Sequence, residues 1–183
     1  MVLTYSSMLE LGSSLEEFNL LDTVSGNDFS SSELDEAKPS LIMFICNHCP
    51  YVIHYHDEIK RLANDFDNTI NMVAISSNDV EEYPQDGPDK MRELWVELGL
   101  SFPYLFDSTQ DVAKQYKAEC TPEFYLFDSS QKLVYRGRLD ESSPNSGLEP
   151  TGEDLRNAIE NVLNNKDVNA DQFPSMGCNI KWK

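Results

Sequence analysis

Basic side chains are scarce. The 183-residue chain carries 14 Lys and Arg against 32 Asp and Glu, a formal net charge of −18. A surface of that sign repels phosphate, which argues against nucleic acid, anionic membranes and acidic substrates as partners. No Lys or Arg precedes Lys38, so the basic start of a secretory signal is missing. The longest apolar run, residues 41–46, is shorter than the core of a signal peptide (about 7–15 residues) and far too short to span a bilayer. The chain is therefore expected in the cytoplasm. Four cysteines are too few for a disulfide scaffold. In a reducing compartment, cysteines close in sequence point to redox chemistry or metal binding. Glycine-rich phosphate loops and internal repeats are absent, and the aromatic residues are not interleaved with basic ones as in a nucleic-acid stacking platform.

What is present reads as one α/β domain over residues 1–183, with an irregular N-terminal arm at 1–17 and an irregular tail at 164–183. A strand is expected at 18–21. Leu41-Ile-Met-Phe-Ile45 lies between Pro39 and Pro50, as a central strand covered on both faces would. Val52, Tyr55, Ile59, Leu62, Ala63 and Phe66 recur at helical spacing, and residues 70–76 form a second apolar strand. Together these make a βαβ unit. Residues 77–88 form a polar loop in which Asp79, Glu81, Glu82 and Asp86 lack calcium-loop spacing and are expected to be solvated. A helix at 89–98 stops at Gly99, followed by a strand at 104–106 and a short helix at 110–116. Strands at 124–127 and 133–138 form an antiparallel hairpin on an otherwise parallel sheet, and a helix at 153–163 follows.

Cys46-Asn-His-Cys49 falls between the first core strand and the first long helix. The C-x-x-C spacing serves dithiol exchange, and equally half of a zinc site. No second C-x-x-C exists, and His54 and His56 are two residues apart, so on a helix they face nearly opposite ways. No metal and no cofactor are expected. In the redox reading, Cys46 at the edge of a helix N-terminus is a stabilised thiolate and the nucleophile. Cys49 then resolves the mixed disulfide, and His48 places a donor or a positive charge beside the pair. Pro50 fits the first helical turn, where its missing N–H costs nothing.

These features resemble the thioredoxin superfamily: Cys46-x-x-Cys49-Pro50 after a strand, and Thr121-Pro122 directly before another. The separation of 72 residues from Cys49 to Thr121 suits members with an inserted strand–helix segment. Within that group the chain is similar to the peroxiredoxin-like (AhpC/TSA-type) thioredoxin-family proteins. The similarity runs over about residues 18–183, through Cys46-Asn-His-Cys-Pro-Tyr-Val52, Ala74-Ile-Ser-Ser-Asn-Asp79, Tyr83-Pro84, Phe102-Pro-Tyr-Leu105, Cys120-Thr-Pro122, Leu133-Val-Tyr-Arg-Gly137 and Gly177-Cys-Asn-Ile-Lys-Trp182. The resemblance implies a thioredoxin-like fold, with a central mixed sheet flanked by helices, the inserted segment and a C-terminal tail. It implies a cis-proline at Pro122 whose loop, with Thr121, faces the cysteines and binds a partner's backbone. The expected activity is thiol-disulfide exchange with a protein or small-thiol partner.

Two alternatives stand beside it. Peroxiredoxins place a Thr or Ser hydroxyl three residues before the reactive cysteine, where this chain has Met43, which cannot hydrogen-bond peroxide. Arg136 or Arg138 would have to supply the cation near the thiolate. The other alternative is a non-catalytic binding module on the same fold. Cys120, beside Thr121, is expected near the pair, either as a further redox thiol or as a buried apolar filler. Cys178, in the tail, either folds back onto the domain or pairs with Cys120. The sequence leaves the oligomeric state open.

Overall fold

Strand β4, Ser40–Phe44, is buried along its whole length. The reason is its two-residue period. Leu41, Met43 and Ile45 face one core cluster while Ile42 and Phe44 face another. The computed structural model describes residues 3–183. Its main sheet has seven strands: β2 (Asn19–Asp22), β3 (Asp28–Ser30), β4, β5 (Asn71–Ser76), β6 (Tyr104–Phe106), β8 (Glu123–Phe127) and β9 (Leu133–Gly137). Their order across the sheet is β3-β2-β6-β5-β4-β8-β9. Only β4–β5 and β5–β6 are parallel, and the other pairs, β2–β6 and β4–β8 among them, are antiparallel. The expected hairpin is present, but the rest of the sheet is mixed rather than parallel. This is a thioredoxin-like α/β fold.

Helices α1 (Pro50–His54), α2 (His56–Asp65), α3 (Pro88–Leu98) and α5 (Glu153–Leu163) send Val52, Ile59, Leu62, Trp95, Leu155 and Ile159 into the first cluster. The shorter α4 (Asp111–Gln115) covers the second with Val112 and Ala113. The single expected helix through Val52 and Phe66 is broken at Tyr55, whose hydroxyl donates to the Ser142 carbonyl. Gly99 ends α3 at φ 69°, a left-handed conformation that suits glycine.

The two terminal segments depart from expectation. Strand β1, Leu3–Tyr5, lies in the arm expected to be irregular, and β10, Met176–Asn179, lies in the tail. With β7 (Cys120–Thr121) they form a second, antiparallel sheet in the order β1-β10-β7. Pairing across the whole length of the chain creates this sheet. A four-residue strand containing a glycine has no periodicity to betray it.

Candidate functional site

The cysteine loop sits where β4 runs out. Helix α1 begins at Pro50, and Cys49 is its N-cap residue. Cys46 therefore lies four residues ahead of the first helical residue, and the helix terminus acts on Cys49 instead. Both cysteines are enclosed, at 1% and 0% exposure. The Thr121–Pro122 peptide is cis and faces them. The Thr121 hydroxyl is 3.4 Å from Cys46 Sγ, and the Thr121 carbonyl oxygen is 3.1 Å from Cys49 Sγ, which donates to it when protonated.

Register brings in a third thiol. Strand β10 pairs antiparallel with β7, Cys178 opposite Thr121 and Asn179 opposite Cys120. Side chains of opposed residues share a face. Cys178 thus turns with Thr121 toward the cysteine loop, and its Sγ lies 2.7 Å from Cys49 Sγ. Cys120 turns the other way, toward the Pro122 carbonyl and the Glu123 carboxylate at 4.0 and 3.9 Å. Of the two readings of Cys120, this alternation favours the apolar filler, and it sets Cys178 against Cys49 rather than Cys120. Burial, reinforced by the Glu123 charge, pushes the Cys120 thiol well up, the behaviour of an apolar filler.

All four cysteines are free thiols. Their acidities differ. Hydrogen bonds from Cys178, then from Cys46, together with the Val52 amide, hold Cys49 far below the usual thiol range. Its contact with Cys49 pushes Cys46 up, helped by burial and by the Asp86 carboxylate. Cys178 is raised by its bond to Cys49 and by burial. These directions make Cys49 the more acidic thiol of the pair, where the sequence suggested Cys46.

The acidic loop is not all solvated. Asp86 is 0% exposed. Its Oδ1 accepts from the amides of Asn47 and His48 at 2.9 and 3.2 Å, and its Oδ2 accepts from Asn78 Nδ2 at 2.8 Å and lies 2.6 Å from His48 Nδ1. One buried carboxylate thus fixes the C-x-x-C turn from the far side of the sheet's edge. His48 also stacks on Tyr83, ring centroids 5.3 Å apart, and the Tyr104 hydroxyl donates to Asn47 Oδ1. A polar acid in a proline- and glycine-containing loop gave no signal of this, because its partners in the cysteine loop lie 38 and 39 residues away. Cys46, His48 and Asp86 offer ligand atoms all within 4.8 Å of one another. The Asp86 oxygens, however, are already occupied by four donors, so the group is satisfied by hydrogen bonds alone.

Pro122 lines a cavity of about 240 Å³ together with Tyr5, Tyr55, Phe124, Arg138 and Met176. On its other side the Thr121 backbone is already paired with β10. The two arginines considered for a peroxidase cation are engaged elsewhere. Arg136 lies against the Met8 sulfur, and Arg138 pairs with Asp154 and caps the Phe173 ring. Met43 is buried in the core. No helix among the described residues is long and apolar enough to cross a membrane.

Comparisons with known proteins agree with this architecture. An uncharacterized conserved protein from Geobacillus kaustophilus is 47% identical, with 100% of this chain and 97% of that one aligned at a TM-score of 0.97. A hypothetical protein from Sinorhizobium meliloti is 40% identical over 98% of both chains, TM-score 0.95. A secreted disulfide oxidoreductase of Mycobacterium tuberculosis, 16% identical, shares the fold over 78% of this chain and 94% of its own, TM-score 0.60. A search of curated proteins finds no match. The Redoxin family profile matches residues 10–151. That span holds Cys46, Cys49 and the Thr121–Pro122 loop and stops short of β10, so the chain belongs to the Redoxin family and carries Cys178 beyond the matched region.

Proposed function

We propose that the protein is a thiol-disulfide oxidoreductase in which Cys46 attacks the disulfide of a protein or small-thiol partner and Cys49 resolves the intermediate. The observation that carries this reading is the placement of the Cys46–Cys49 pair against Thr121 and the cis-Pro122 on a thioredoxin-like sheet. The Cys46 proton passes to Cys49 as the partner docks. The Cys46 thiolate then bonds to one partner sulfur and the other leaves as a thiolate, which takes up a proton. Cys49, deprotonated again, attacks Cys46 Sγ, closes the Cys46–Cys49 disulfide and releases the second partner thiol.

The partner reaches the pair over Pro122, whose cavity wall of Tyr5, Tyr55 and Phe124 is mainly apolar and aromatic. His48 and Asp86 are positioning residues that fix the loop. The same reading places the protein in the cytoplasm, where free thiols stay reduced. The missing hydroxyl at Met43 and the pairing of Arg138 with Asp154 speak against a peroxidase. The experiment is insulin-disulfide reduction with dithiothreitol as donor. Activity is expected in the native protein and absent in Cys46→Ser. Peroxide turnover without disulfide reduction overturns the assignment.

A further inference from the structure

We propose that Cys178 is a third redox thiol, which draws the disulfide out of the Cys46–Cys49 pair and holds it as Cys49–Cys178. The proposal rests on the reading of Cys46 and Cys49 as an exchanging pair. Its foundation is position. Cys178 lies 129 residues from Cys49 in sequence, yet their sulfurs are 2.7 Å apart, inside ordinary van der Waals separation and beyond a disulfide bond of about 2.05 Å. Both are free thiols in a shared, enclosed space.

The strand that brings Cys178 there is fastened at both ends. On one side, Ser6 N donates to the Ser175 carbonyl and Ser175 N to Ser6 Oγ. On the other, the Lys181 amide donates to Asn78 Oδ1, and its carbonyl accepts from Asp79 N and Gln110 Nε2, each at 2.8 Å. Between them, Gly177 leaves no room for a side chain. A Cβ there would fall 2.0 Å from the Thr121 carbonyl oxygen. Only glycine lets β10 come close enough for Cys178 to touch Cys49. A space-filling cysteine needs only apolar neighbours; Cys178 has these and in addition meets another thiol, Cys49, sulfur to sulfur. Cys120, one residue from Thr121, supplies the contrast. It is equally buried, and β-alternation turns it away from the cluster.

The relay balances. A partner disulfide passes to Cys46–Cys49 with release of two partner thiols. Cys178, as thiolate, attacks Cys49 Sγ. The Cys49–Cys178 bond forms, the Cys46–Cys49 bond breaks, and Cys46 leaves as a thiolate that takes the proton Cys178 gave up. Two electrons have moved from the Cys49 and Cys178 thiols to the partner, and Cys46 is free again in the oxidised protein. A small dithiol, dithiothreitol in the assay, restores the starting state.

The test uses oxidised glutathione as the disulfide and a tryptic digest without reductant. Cys46 and Cys49 share one tryptic peptide, residues 1–60, and Cys178 lies in another, residues 167–181. The expected product is a cross-link between those two peptides, with tandem mass spectrometry placing the bond on Cys49 and alkylation finding Cys46 free. The cross-link forms far more slowly in Cys46→Ser, which lacks the entry nucleophile, and is lost in Cys49→Ser. In both Cys178→Ser and Cys178→Ala the disulfide reverts to the single peptide, as Cys46–Cys49, so the outcome does not hang on how one buried substitution is tolerated. A native protein that yields only the Cys46–Cys49 linkage overturns the relay and leaves the exchanging pair standing. A native protein that forms no intramolecular disulfide overturns both.

Discussion

Two buried carboxylates lie beside the thiols, and each opposes a thiolate on its neighbour, Asp86 on Cys46 and Glu123 on Cys120. Asp86 organises the cysteine loop through four hydrogen-bonded donors while its charge opposes a thiolate on Cys46. Asp86→Asn removes that charge. The pH at which Cys46 becomes alkylatable by iodoacetamide is expected to fall, while the lost charge-assisted bonds lower stability by about 1–3 kcal/mol in urea unfolding. An unchanged alkylation profile would remove Asp86 from any role in tuning the site. Glu123 is the second. It is buried, accepts from the Glu119 and Cys120 amides and the Tyr125 hydroxyl, and has Arg136 within its field. Burial raises its carboxyl from the usual value to about 7. The folded state then holds the proton more tightly than the unfolded state. Its contribution to stability is complete below about pH 4.5 and is lost as pH rises to about 7. At about 1.4 kcal/mol per pH unit the loss reaches about 3 kcal/mol. The difference in urea-unfolding free energy between Glu123→Gln and the native protein should therefore change by that order between pH 4.5 and 8, and a constant difference would refute the assignment.

At the scale of elements, β10 decides what the site is. Gly177→Ala must move either β10 or the Thr121 carbonyl, because the atoms a Cβ meets are main chain rather than a yielding side chain. Overpacking of this kind costs about 1–3 kcal/mol. The expected result is a lower Tm together with faster alkylation of Cys178, which has left Cys49. A drop in Tm with Cys178 still protected would mean that the strand bends without parting. This element was also the least legible in the sequence. Strand β4 announced itself because five consecutive apolar residues between prolines fit a strand buried on both faces. The helix at Pro88–Leu98 was marked by Gly99, and the motif Cys46-x-x-Cys49-Pro50 with Thr121-Pro122 located the site. Met176-Gly-Cys-Asn179 has neither alternation nor propensity. It is a strand only because β1 and β7 supply its hydrogen bonds. Asp86 was hidden for the same reason, its partners being remote, and the start of α1 at Pro50 rather than Cys46 moved the helix-terminus effect to a different sulfur.

The whole molecule is a strong anion, and its charge acts on stability and on partner choice by separate routes. With 32 acidic side chains against 14 basic ones, most surface charges have no opposite neighbour. Exposed pairs such as Lys90–Glu93 and Lys114–Asp111 contribute little in water. Added salt therefore screens repulsion more than it weakens attraction, as the Debye length shrinks from about 10 Å at 0.1 M to about 3 Å at 1 M. Tm is expected to rise with sodium chloride, each kcal/mol of relieved repulsion being worth about 2–4 °C at this size. The kinetic consequence is sharper. The cysteines are enclosed, so a partner must dock before any sulfur reacts, and docking is where a long-range field operates. Steering changes association rates by about 10- to 1000-fold. Two disulfide peptides of equal length, one flanked by lysines and one by glutamates, should be reduced at initial rates differing by at least about tenfold at low ionic strength, the basic one faster. The gap should close as salt is added, while the rate of the step after docking stays the same for both. Equal rates at low salt would show that the field around the site is governed by local groups such as His48 and Lys181 and not by the net charge.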